Sequence, residues 1–541
     1  MEVQELLKLY AAHPQVTALD TLLKNDTSRN IFLKGLNGSG PAMTIASLFT
    51  KGRGSYVCVL NDQEEAGYFY HDLMQLTASN EVYFFPSAYR RAIKYGHVDP
   101  ANEILRTEVL SRLQDPDASF VIVTYPDALA ERVVAREVLK ENTLKISVGE
   151  KLDNMFVSDV LDEYGFEQVD YVYEPGQYAL RGSILDVFSF SYEFPYRIDF
   201  FGDEVETIRT FDVETQLSKE KLDSIYIVPE MSKDAKDSTS LLGSLPRNTF
   251  IAARDLAWCK ERIGSVWNDD PVVADEESFA DIDQMRKKLV RGEDFLREVL
   301  DFRRIHFGAR PMGTADATIH FSTQTQPIYH KNFDRVSESF HKYLDEGYTL
   351  YILSDQEKQA NRIRMIFEDR GDNIPFTAVN RTIHEGFADD TLRICFFTDH
   401  QLFDRFHKFN LKSDKARSGK ITLSLKELNQ FSQGDYIVHI DHGVGQFGGL
   451  VRTEVNGKMQ EAIKLIYQNN DIIFVSIHSL HKLSKYKGKE SGEPPKLSKL
   501  GTGAWEKMKE RTKAKVKDIA RDLILLYSKR KQETGFAYAP D

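Results

Sequence analysis

The chain has 541 residues, of which 41% are hydrophobic and 28% are charged, and its formal net charge is −12. This length exceeds what one hydrophobic core supports, and it predicts several domains of roughly 100–150 residues each. The acidic balance argues against a protein whose whole surface binds nucleic acid.

Targeting signals and paired cysteines are both missing from the sequence. No apolar stretch approaches the roughly 20 residues that cross a bilayer, and the first residues lack the basic start and apolar core of a signal peptide. Cys58, Cys259 and Cys395 lack the close spacing of a zinc site, which indicates buried free thiols in a reducing compartment. The sequence therefore predicts a cytoplasmic protein without membrane contact.

Residues 35–42 have the pattern of a phosphate-binding loop without its catalytic groups. A functional loop presents backbone N–H groups and a lysine to the phosphates, and its Ser/Thr hydroxyl coordinates Mg²⁺. Here Pro41 replaces the lysine and removes a backbone donor, and Ala42 replaces the hydroxyl residue. The loop keeps three glycines, which are Gly35, Gly38 and Gly40.

The sequence around this loop is typical of the same motif. Residues 30–33 read as a short apolar strand before the loop, and residues 43–50 read as a helix after it. The segment is either the degenerate loop of an ATPase fold or a Gly/Ser turn that matches the pattern by chance. Both interpretations predict that this chain has no cofactor and does not hydrolyse ATP.

Strand and helix patterns alternate over the first 130 residues. Short apolar runs at 55–60, 82–85 and 120–124 are typical of parallel strands, and the apolar spacing at 102–113 indicates a helix between two of them. This alternation predicts an α/β subdomain over residues 1–130.

The pattern changes to short alternating strands over residues 131–220. After a helix at 157–164, alternating runs at 183–188, 196–201 and 204–209 predict a β-rich subdomain, and Gly202-Asp203 is a hairpin signal. Residues 221–335 are assigned to a second part of the same module. Their signals are weak, and the stretch from about 230 to 330 is predicted to be helical and irregular.

Residues 336–410 predict a small α/β domain without a catalytic constellation. Residues 350–353 and 392–397 read as strands, and 354–357 read as a capping box that opens a helix. A basic linker is expected at 411–430. Such charge runs are most often solvated helix faces or linkers.

Residues 431–490 predict a small β-barrel that should fold alone, with strands near 434–447, 461–467 and 472–477. His439 and His442 are three residues apart but lack further ligands, so local hydrogen bonding is favoured over a metal site. Residues 496–541 then predict a long basic amphipathic helix. Such a helix normally leads into another domain, so we expect the sequence to be the front part of a longer protein.

Three stretches of this chain resemble the N-terminal half of the bacterial transcription-repair coupling factor family (Mfd). Residues 174–212, with EPGQYALRGSILDVF and RIDFFGDE, share the pattern of these factors and of the excision-repair protein UvrB. Residues 435–450 are similar to the family's RNA-polymerase-interacting domain and to CarD-type regulators, and 500–530 are similar to the helix that follows it. The expected fold class is multi-domain α/β and α+β, with a UvrB-like degenerate P-loop module.

The resemblance implies a set of partners for the chain. The β-rich subdomain would recruit UvrA, and the barrel would bind the β subunit of RNA polymerase. The UvrB-like module would be free of nucleotide, whereas a translocase motor beyond residue 541 would use ATP and Mg²⁺ and make most of the DNA contacts. A monomer is expected.

The same resemblance suggests individual binding residues. Arg181, with Tyr178 and Gly182, falls on the face that UvrB-like proteins present to UvrA. Arg181 could instead be structural, paired to Asp186 or Glu174 to order the hairpin.

In the barrel, the resemblance gives a candidate polymerase-binding region. Its residues are His439, His442, Gly443, Gly445 and Leu450. The glycines could instead serve turns, and the sequence does not say which strand edge is free.

Two other functions remain open at the level of sequence. A UvrB-like nucleotide-dependent DNA remodeller would need a lysine at position 41 and an acidic metal-binding motif, for which Asp127 is a poor substitute. A CarD-type transcription regulator would act through the barrel alone.

Overall fold

A computed structural model gives the structure of the chain. It describes residues 1–512 except 26–27, 80, 89–99, 116, 170–171, 173–174, 193, 214–216, 230–237, 269–285, 328, 406, 408, 410–430, 456–457, 477–481, 487–494, 506 and 510. The chain divides into two compact units, residues 1–416 and residues 417–541. The predicted basic linker and most of the predicted C-terminal helix lie outside the described residues.

The helices and strands of the described residues are numbered in chain order. The helices are α1 (Val3–Ala11), α2 (Pro14–Lys24), α3 (Gly40–Thr50), α4 (Gln63–Thr77), α5 (Pro100–Arg112), α6 (Pro126–Leu129), α7 (Arg136–Glu141), α8 (Asn154–Glu163), α9 (Leu241–Ser244), α10 (Leu256–Asn268), α11 (Gly292–Val299), α12 (Phe333–Asp345), α13 (Glu357–Asp369) and α14 (Asp399–Leu402). The strands of the first unit are β1 (Asn30–Lys34), β2 (Tyr56–Val59), β3 (Val82–Phe84), β4 (Val121–Thr124), β5 (Val133–Val134), β6 (Leu144–Ser147), β7 (Glu167–Gln168), β8 (Gln177–Arg181), β9 (Ile184–Phe188), β10 (Tyr196–Phe201), β11 (Glu204–Phe211), β12 (Ser218–Leu222), β13 (Ser224–Ile227), β14 (Ser238–Thr239), β15 (Phe250–Ala253), β16 (Arg303–His306), β17 (Ala317–His320), β18 (Thr323–Thr325), β19 (Thr349–Leu353), β20 (Thr377–Val379), β21 (Phe387–Asp389) and β22 (Ile394–Thr398). Those of the second unit are β23 (Tyr436–His439), β24 (Gly443–Val455), β25 (Lys458–Ile466), β26 (Ile472–Ser476) and β27 (Leu483–Lys485).

A seven-stranded parallel sheet forms the centre of the first unit, with strand order β17-β1-β16-β15-β2-β4-β3. The predicted strands at 30–33, 55–60, 82–85 and 120–124 are confirmed as β1, β2, β3 and β4. Cys58 on β2 is fully buried and unpaired, as are Cys259 and Cys395, which confirms the predicted free thiols. The mixed α/β character with several sheets is likewise confirmed.

The prediction that residues 230–330 are helical and irregular was wrong for β15, β16 and β17. β15 pairs with β2, so that Phe250 lies beside Tyr56, and β16 pairs with β1, so that Arg304 lies beside Asn30. Three of the seven strands of the central sheet therefore come from this stretch. β15 has only four residues, all buried, and it is paired between β2, which lies almost 200 residues earlier in the sequence, and β16.

The predicted β-rich region folds as a separate six-stranded sheet, with strand order β12-β11-β10-β9-β8-β7. The Gly202-Asp203 turn joins β10 to β11 as an antiparallel hairpin, as predicted. The alternating residues of β10 that face inwards, Tyr196, Ile198 and Phe200, join a hydrophobic core separate from that of the parallel sheet.

A five-stranded sheet, which we call the third sheet after the two larger ones, has strand order β18-β21-β22-β19-β20 and contains the strands predicted at 350–353 and 392–397. The predicted capping box at 354–357 is wrong. Helix α13 begins at Glu357 with Gln356 as its N-cap, and no side chain caps it. The Ser354 hydroxyl accepts instead from the Gln356 N–H within the preceding turn, at 3.2 Å.

In the second unit, five antiparallel strands form one sheet in the order β26-β25-β24-β23-β27. Its core includes Ile437, Phe447, Ile463 and Leu465. Residues beyond the predicted 431–490 barrel also cover it, because the Ser498 N–H donates to the Val444 carbonyl of β24 at 2.9 Å and Leu500 packs against the core.

Candidate functional site

The phosphate-loop segment has the predicted strand–loop–helix geometry. Strand β1 leads into a loop in which Gly35 and Gly38 adopt positive φ angles of +88° and +53°, and α3 begins at Gly40. Pro41 lies in the first turn of α3, where a proline is tolerated because its missing N–H would have no helical partner. The first ten residues of α3, including Ala42, are buried.

Other segments of the chain occupy the hydrogen-bonding groups of this loop. The Asn37 N–H donates to the Thr323 hydroxyl at 2.8 Å, and the Ser39 N–H donates to the Glu385 carbonyl at 3.0 Å. The Ser39 hydroxyl accepts from the Glu385 N–H, also at 3.0 Å. These are the backbone donors that a working loop turns towards phosphate. The loop is therefore closed by its own chain.

Close packing against residues 385–387 leaves little space at the loop. A Cβ atom added to Gly38 would lie 2.9 Å from the Gly386 carbonyl oxygen, and one added to Gly40 would meet the Leu36 side chain at 3.2 Å. The Gly38 position therefore requires glycine both for its φ angle and for this contact. We call residues 384–387 the closing segment.

A buried carboxyl holds the closing segment in place. Asp72 on α4 is 3% exposed, and it accepts from the His384 N–H at 2.7 Å and hydrogen-bonds to the Ser39 side chain. The His384 ring stacks on Tyr68, with ring centroids 3.5 Å apart. Burial raises the pKa of Asp72 from 3.8 to about 7.

The acidic residue weighed as a metal-binding substitute has another partner. Asp127 lies in α6 and forms a two-point ion pair with Arg262, with N–O distances of 2.8 and 3.2 Å. Within the described residues there is also no group of three or more His, Cys, Asp or Glu side chains that could hold a metal ion.

On the six-stranded sheet, Arg181 shares a buried carboxylate with a second arginine. Asp186 is 1% exposed, and Arg197 binds both of its oxygens at 2.7 and 2.8 Å, while Arg181 contacts one of them. Of the two structural partners weighed for Arg181, Asp186 is found, and Glu174 lies outside the described residues. The Arg181 side chain is still 33% exposed.

The other two candidates of this group differ in accessibility. Tyr178 is 1% exposed and its hydroxyl donates to Asp162 at 2.8 Å, so its side chain supports the sheet from inside. Gly182 forms the β8–β9 turn with φ +63°, and a Cβ there would meet open space. The Phe200 N–H donates to the Ser183 carbonyl at 2.9 Å, which places the β10–β11 turn beside this one.

The sequence reasoning missed Phe201 at this end of the sheet. Phe201 is 79% exposed, and it lies directly before the Gly202 turn, next to the Arg181–Gly182 turn. An apolar residue at the outward-facing end of the alternating run 196–201 was the available signal. The two turns together present a cation and an exposed aromatic ring.

In the second unit, the candidates Gly443 and His439 contact other residues of the same unit. Gly443 has φ +79°, and a Cβ there would lie 2.9 Å from the Trp505 ring. His439 is 3% exposed, and its Nδ1 accepts from the Asp441 N–H at 3.0 Å, as the local-hydrogen-bond prediction expected. The rings of His439 and His442 lie 4.5 Å apart.

The two remaining candidates lie along β24. A Cβ on Gly445 would meet the Tyr467 ring at 3.1 Å. Leu450 follows a register shift between Phe447 and Leu450 in the β24–β25 pairing, and it is half-buried against the core of the sheet. These two positions therefore shape the strand and its core.

Strand β26 at one end of this sheet has an exposed apolar face that the sequence reasoning did not single out. Ile472 is 45% and Phe474 is 51% exposed, whereas Ile473 between them and Val475 after them pack into the core. β26 pairs with β25, and no strand of the described residues pairs with its other edge. Exposed apolar side chains on an unpaired edge are typical of partner binding.

Among the helices of the described residues, none is both long enough and apolar enough to cross a membrane.

Family comparisons match the two regions that sequence motifs had singled out. The family model of the UvrB interaction domain matches residues 144–232, which cover the six-stranded sheet with Arg181 and Phe201. The family model of the CarD-like/TRCF RID domain matches residues 431–487, which cover the sheet of the second unit.

Curated relatives match almost the whole chain. The transcription-repair-coupling factor of Bacillus subtilis (strain 168) is 25% identical over 94% of this chain and 49% of its own length. That of Staphylococcus aureus (strain bovine RF122 / ET3-1) is 25% identical over 97% of this chain and 52% of its own length. The chain thus spans about half the length of these relatives. With both domain matches, this confirms the predicted resemblance of the chain to the N-terminal half of the transcription-repair-coupling factors.

Proposed function

We propose that the chain is the adaptor part of a cytoplasmic transcription-coupled DNA repair factor. It docks RNA polymerase through residues 431–487 and recruits UvrA through residues 144–232, as a monomer and without nucleotide chemistry of its own. The observation that carries this proposal is the presence of both matched domains in one chain, on two separate sheets. The ATP- and Mg²⁺-dependent DNA motor would belong to the half of the relatives that this chain does not match.

The closed loop supports the non-catalytic part of the proposal. Phosphoryl transfer depends on positioned cations and backbone donors around the phosphates. Pro41 and Ala42 supply neither cation nor hydroxyl, and Thr323 and Glu385 occupy the donors. Titration calorimetry with ATP and Mg²⁺ should detect no binding at about 100 μM. Binding in that range, with turnover, would favour the UvrB-like remodeller instead.

For UvrA, the proposal centres on the pair of turns that carry Arg181 and Phe201. Arginine and aromatic side chains dominate the energetics of protein interfaces, and these two are both accessible. Phe201→Ala and Arg181→Ala should each weaken UvrA binding by roughly thirtyfold, the effect of losing about 2 kcal/mol. Val148→Ala is a matched control, since Val148 is an exposed apolar residue of the same domain.

For RNA polymerase, the proposal places the contact with the β subunit at the free edge of β26. Strand addition at an open edge supplies main-chain hydrogen bonds, while outward side chains supply specificity. Phe474→Glu should weaken binding of the full chain to immobilised polymerase at least about tenfold, since the charge must be desolvated. Ile440→Glu is the control, because Ile440 is similarly exposed but lies outside β26.

The outcomes of these experiments separate the alternatives. Loss of binding in Ile440→Glu with normal binding in Phe474→Glu would move the polymerase contact to the turn after β23. Polymerase binding without any UvrA binding would favour a CarD-type regulator.

A further inference from the structure

A cleft in the third sheet's domain has no role in the functions proposed above. It lies between the start of α12, the middle of α13 and the segment after α14, and its volume is about 350 Å³. Its lining combines three cations with three apolar side chains: Lys331, Arg362, Arg405, Phe333, Ile366 and Phe403. This size is at the lower end of ligand sites in proteins.

Two of the three cations have no acidic partner among the described residues. Within the described part of the chain, neither the Lys331 ammonium nor the Arg362 guanidinium has an ion pair or a hydrogen bond. Arg405 donates to the Gln359 side chain at 2.8 Å and lies 3.8 Å from Asp399. Among the described residues, the charges of Lys331 and Arg362 are therefore unpaired, whereas the Arg405 guanidinium lies near the Asp399 carboxylate.

The two guanidinium groups are held in place by one aromatic ring. Phe403 is 6% exposed, and the guanidinium carbons of Arg362 and Arg405 lie 4.9 and 4.5 Å from its ring centroid. Phe333 packs against Phe403 with centroids 5.4 Å apart. Cations fixed over a ring lose less conformational freedom when they bind an anion.

The backbone on both sides of the cleft adopts unfavourable conformations. His330, Lys331 and Asp404 have φ angles of +49°, +61° and +48°, which non-glycine residues rarely adopt. His330 Nδ1 lies 3.7 Å from the Asp404 carboxylate, so the two backbone segments that border the cleft approach each other there. Each such conformation costs on the order of 1 kcal/mol, and such strain is concentrated at functional sites.

We propose that this cleft binds an acidic peptide segment that inserts one apolar side chain. The apolar side chain would pack against Phe333 and Ile366, while flanking carboxylates would pair with the three cations. Carboxylates match the two-donor geometry of guanidinium groups. Nucleic acid is a poorer fit, because single strands stack their bases on open aromatic faces, and Phe403 is almost fully covered.

Fluorescence anisotropy with the full chain tests this proposal. The probe is a fluorescein-labelled nine-residue peptide with a central leucine between two pairs of aspartates, at an ionic strength of about 0.05 M. Arg362→Glu and Lys331→Glu should each lower its affinity about tenfold, since each reverses a charge at the bound carboxylates. Lys342→Glu is the matched control, because Lys342 is an exposed lysine on α12 outside the cleft.

Three results would overturn the proposal. The first is equal affinity for a probe in which glycine replaces the leucine, since Phe333 and Ile366 would then contribute nothing to binding. The second is tighter, Arg362-dependent binding of a nine-nucleotide DNA strand, which would indicate a phosphate site. The third is no binding of the peptide at about 1 mM. If Arg362→Glu does not fold, Arg362→Gln removes the charge with little change of shape.

Discussion

Replacement of Asp72 by asparagine tests whether a buried carboxyl closes the phosphate loop. Asp72 is fully enclosed and connects α4 to Ser39 of the loop and to the His384 N–H of the closing segment. Asparagine has nearly the same shape and keeps an oxygen acceptor for the His384 N–H. The variant therefore removes the titration of this group while it preserves most of the contacts.

The size of the effect follows from the pKa of the Asp72 carboxyl. Burial raises this pKa from 3.8 to about 7, so the folded protein holds a proton that the unfolded chain has released between those pH values. The free energy of unfolding must then fall as pH rises through this window. Each pKa unit corresponds to about 1.4 kcal/mol, so the loss approaches about 4 kcal/mol above pH 7. Asp72→Asn should escape this loss.

Neighbouring histidines change stability in the opposite direction, so the difference between the two proteins is the quantity to measure. Burial lowers the pKa of His71, and that of His400 to about 4. Because the unfolded chain binds more protons than these folded histidines below about pH 6.5, their contribution to stability rises with pH. This contribution is present in both proteins and cancels in the difference.

Urea unfolding from pH 4 to pH 8 measures this difference. The three tryptophans are Trp258, Trp267 and Trp505, so a Trp505→Phe background makes the fluorescence report on the first unit alone. We expect the advantage of Asp72→Asn to grow with pH and to level off above pH 7. A difference that stays constant across this range would refute the assigned pKa and with it the role of the buried carboxyl.

Three further changes test other parts of the structure. Arg197→Ala should lower the free energy of unfolding by about 3 kcal/mol because it breaks a buried ion pair. Arg181→Ala should lower it by less than about 1 kcal/mol, since the Arg181 side chain is one third exposed. Equal losses of the two variants in thermal unfolding would contradict this difference. Gly35→Ala should lower the free energy of unfolding by at least about 2 kcal/mol, since the new Cβ would overlap the Phe321 carbonyl and the φ angle is +88°. Gly52→Ala should lower it by only about 1 kcal/mol, because Gly52 has a similar φ of +70° but open space around it. Trp505→Ala should accelerate hydrogen exchange in β23 and β24, and unchanged exchange would show that residues beyond 490 do not stabilise that sheet.

Strong local signals were predicted correctly from the sequence. The apolar runs of β1, β2 and β4 are four or five residues long and nearly all buried, so their composition alone marks them. The Gly202-Asp203 turn marks the β10–β11 hairpin because its backbone requires a residue with positive φ. The predictions failed where a segment gains its structure from distant partners.

Strand β15 and helix α13 illustrate these two kinds of failure. β15 has the short sequence Phe250–Ala253, and only burial between β2 and β16 makes it a strand. At α13, the Ser354 hydroxyl was available for a cap, but the turn before the helix uses it locally. In both cases the competing contacts are not visible in a sequence window.

The sequence by itself determined which residues of the phosphate-binding pattern are replaced, at Pro41 and Ala42, and which two domain families the chain resembles, because both depend on the identity of adjacent residues. Only the tertiary structure decided that the closing segment occupies the loop, since residues 384–387 reach it from across the sequence. It likewise decided that Arg181 shares Asp186 with Arg197 and that β26 is the end strand of its sheet among the described strands. Which side chains meet, and which stay exposed, depends on packing between segments that are distant in the chain.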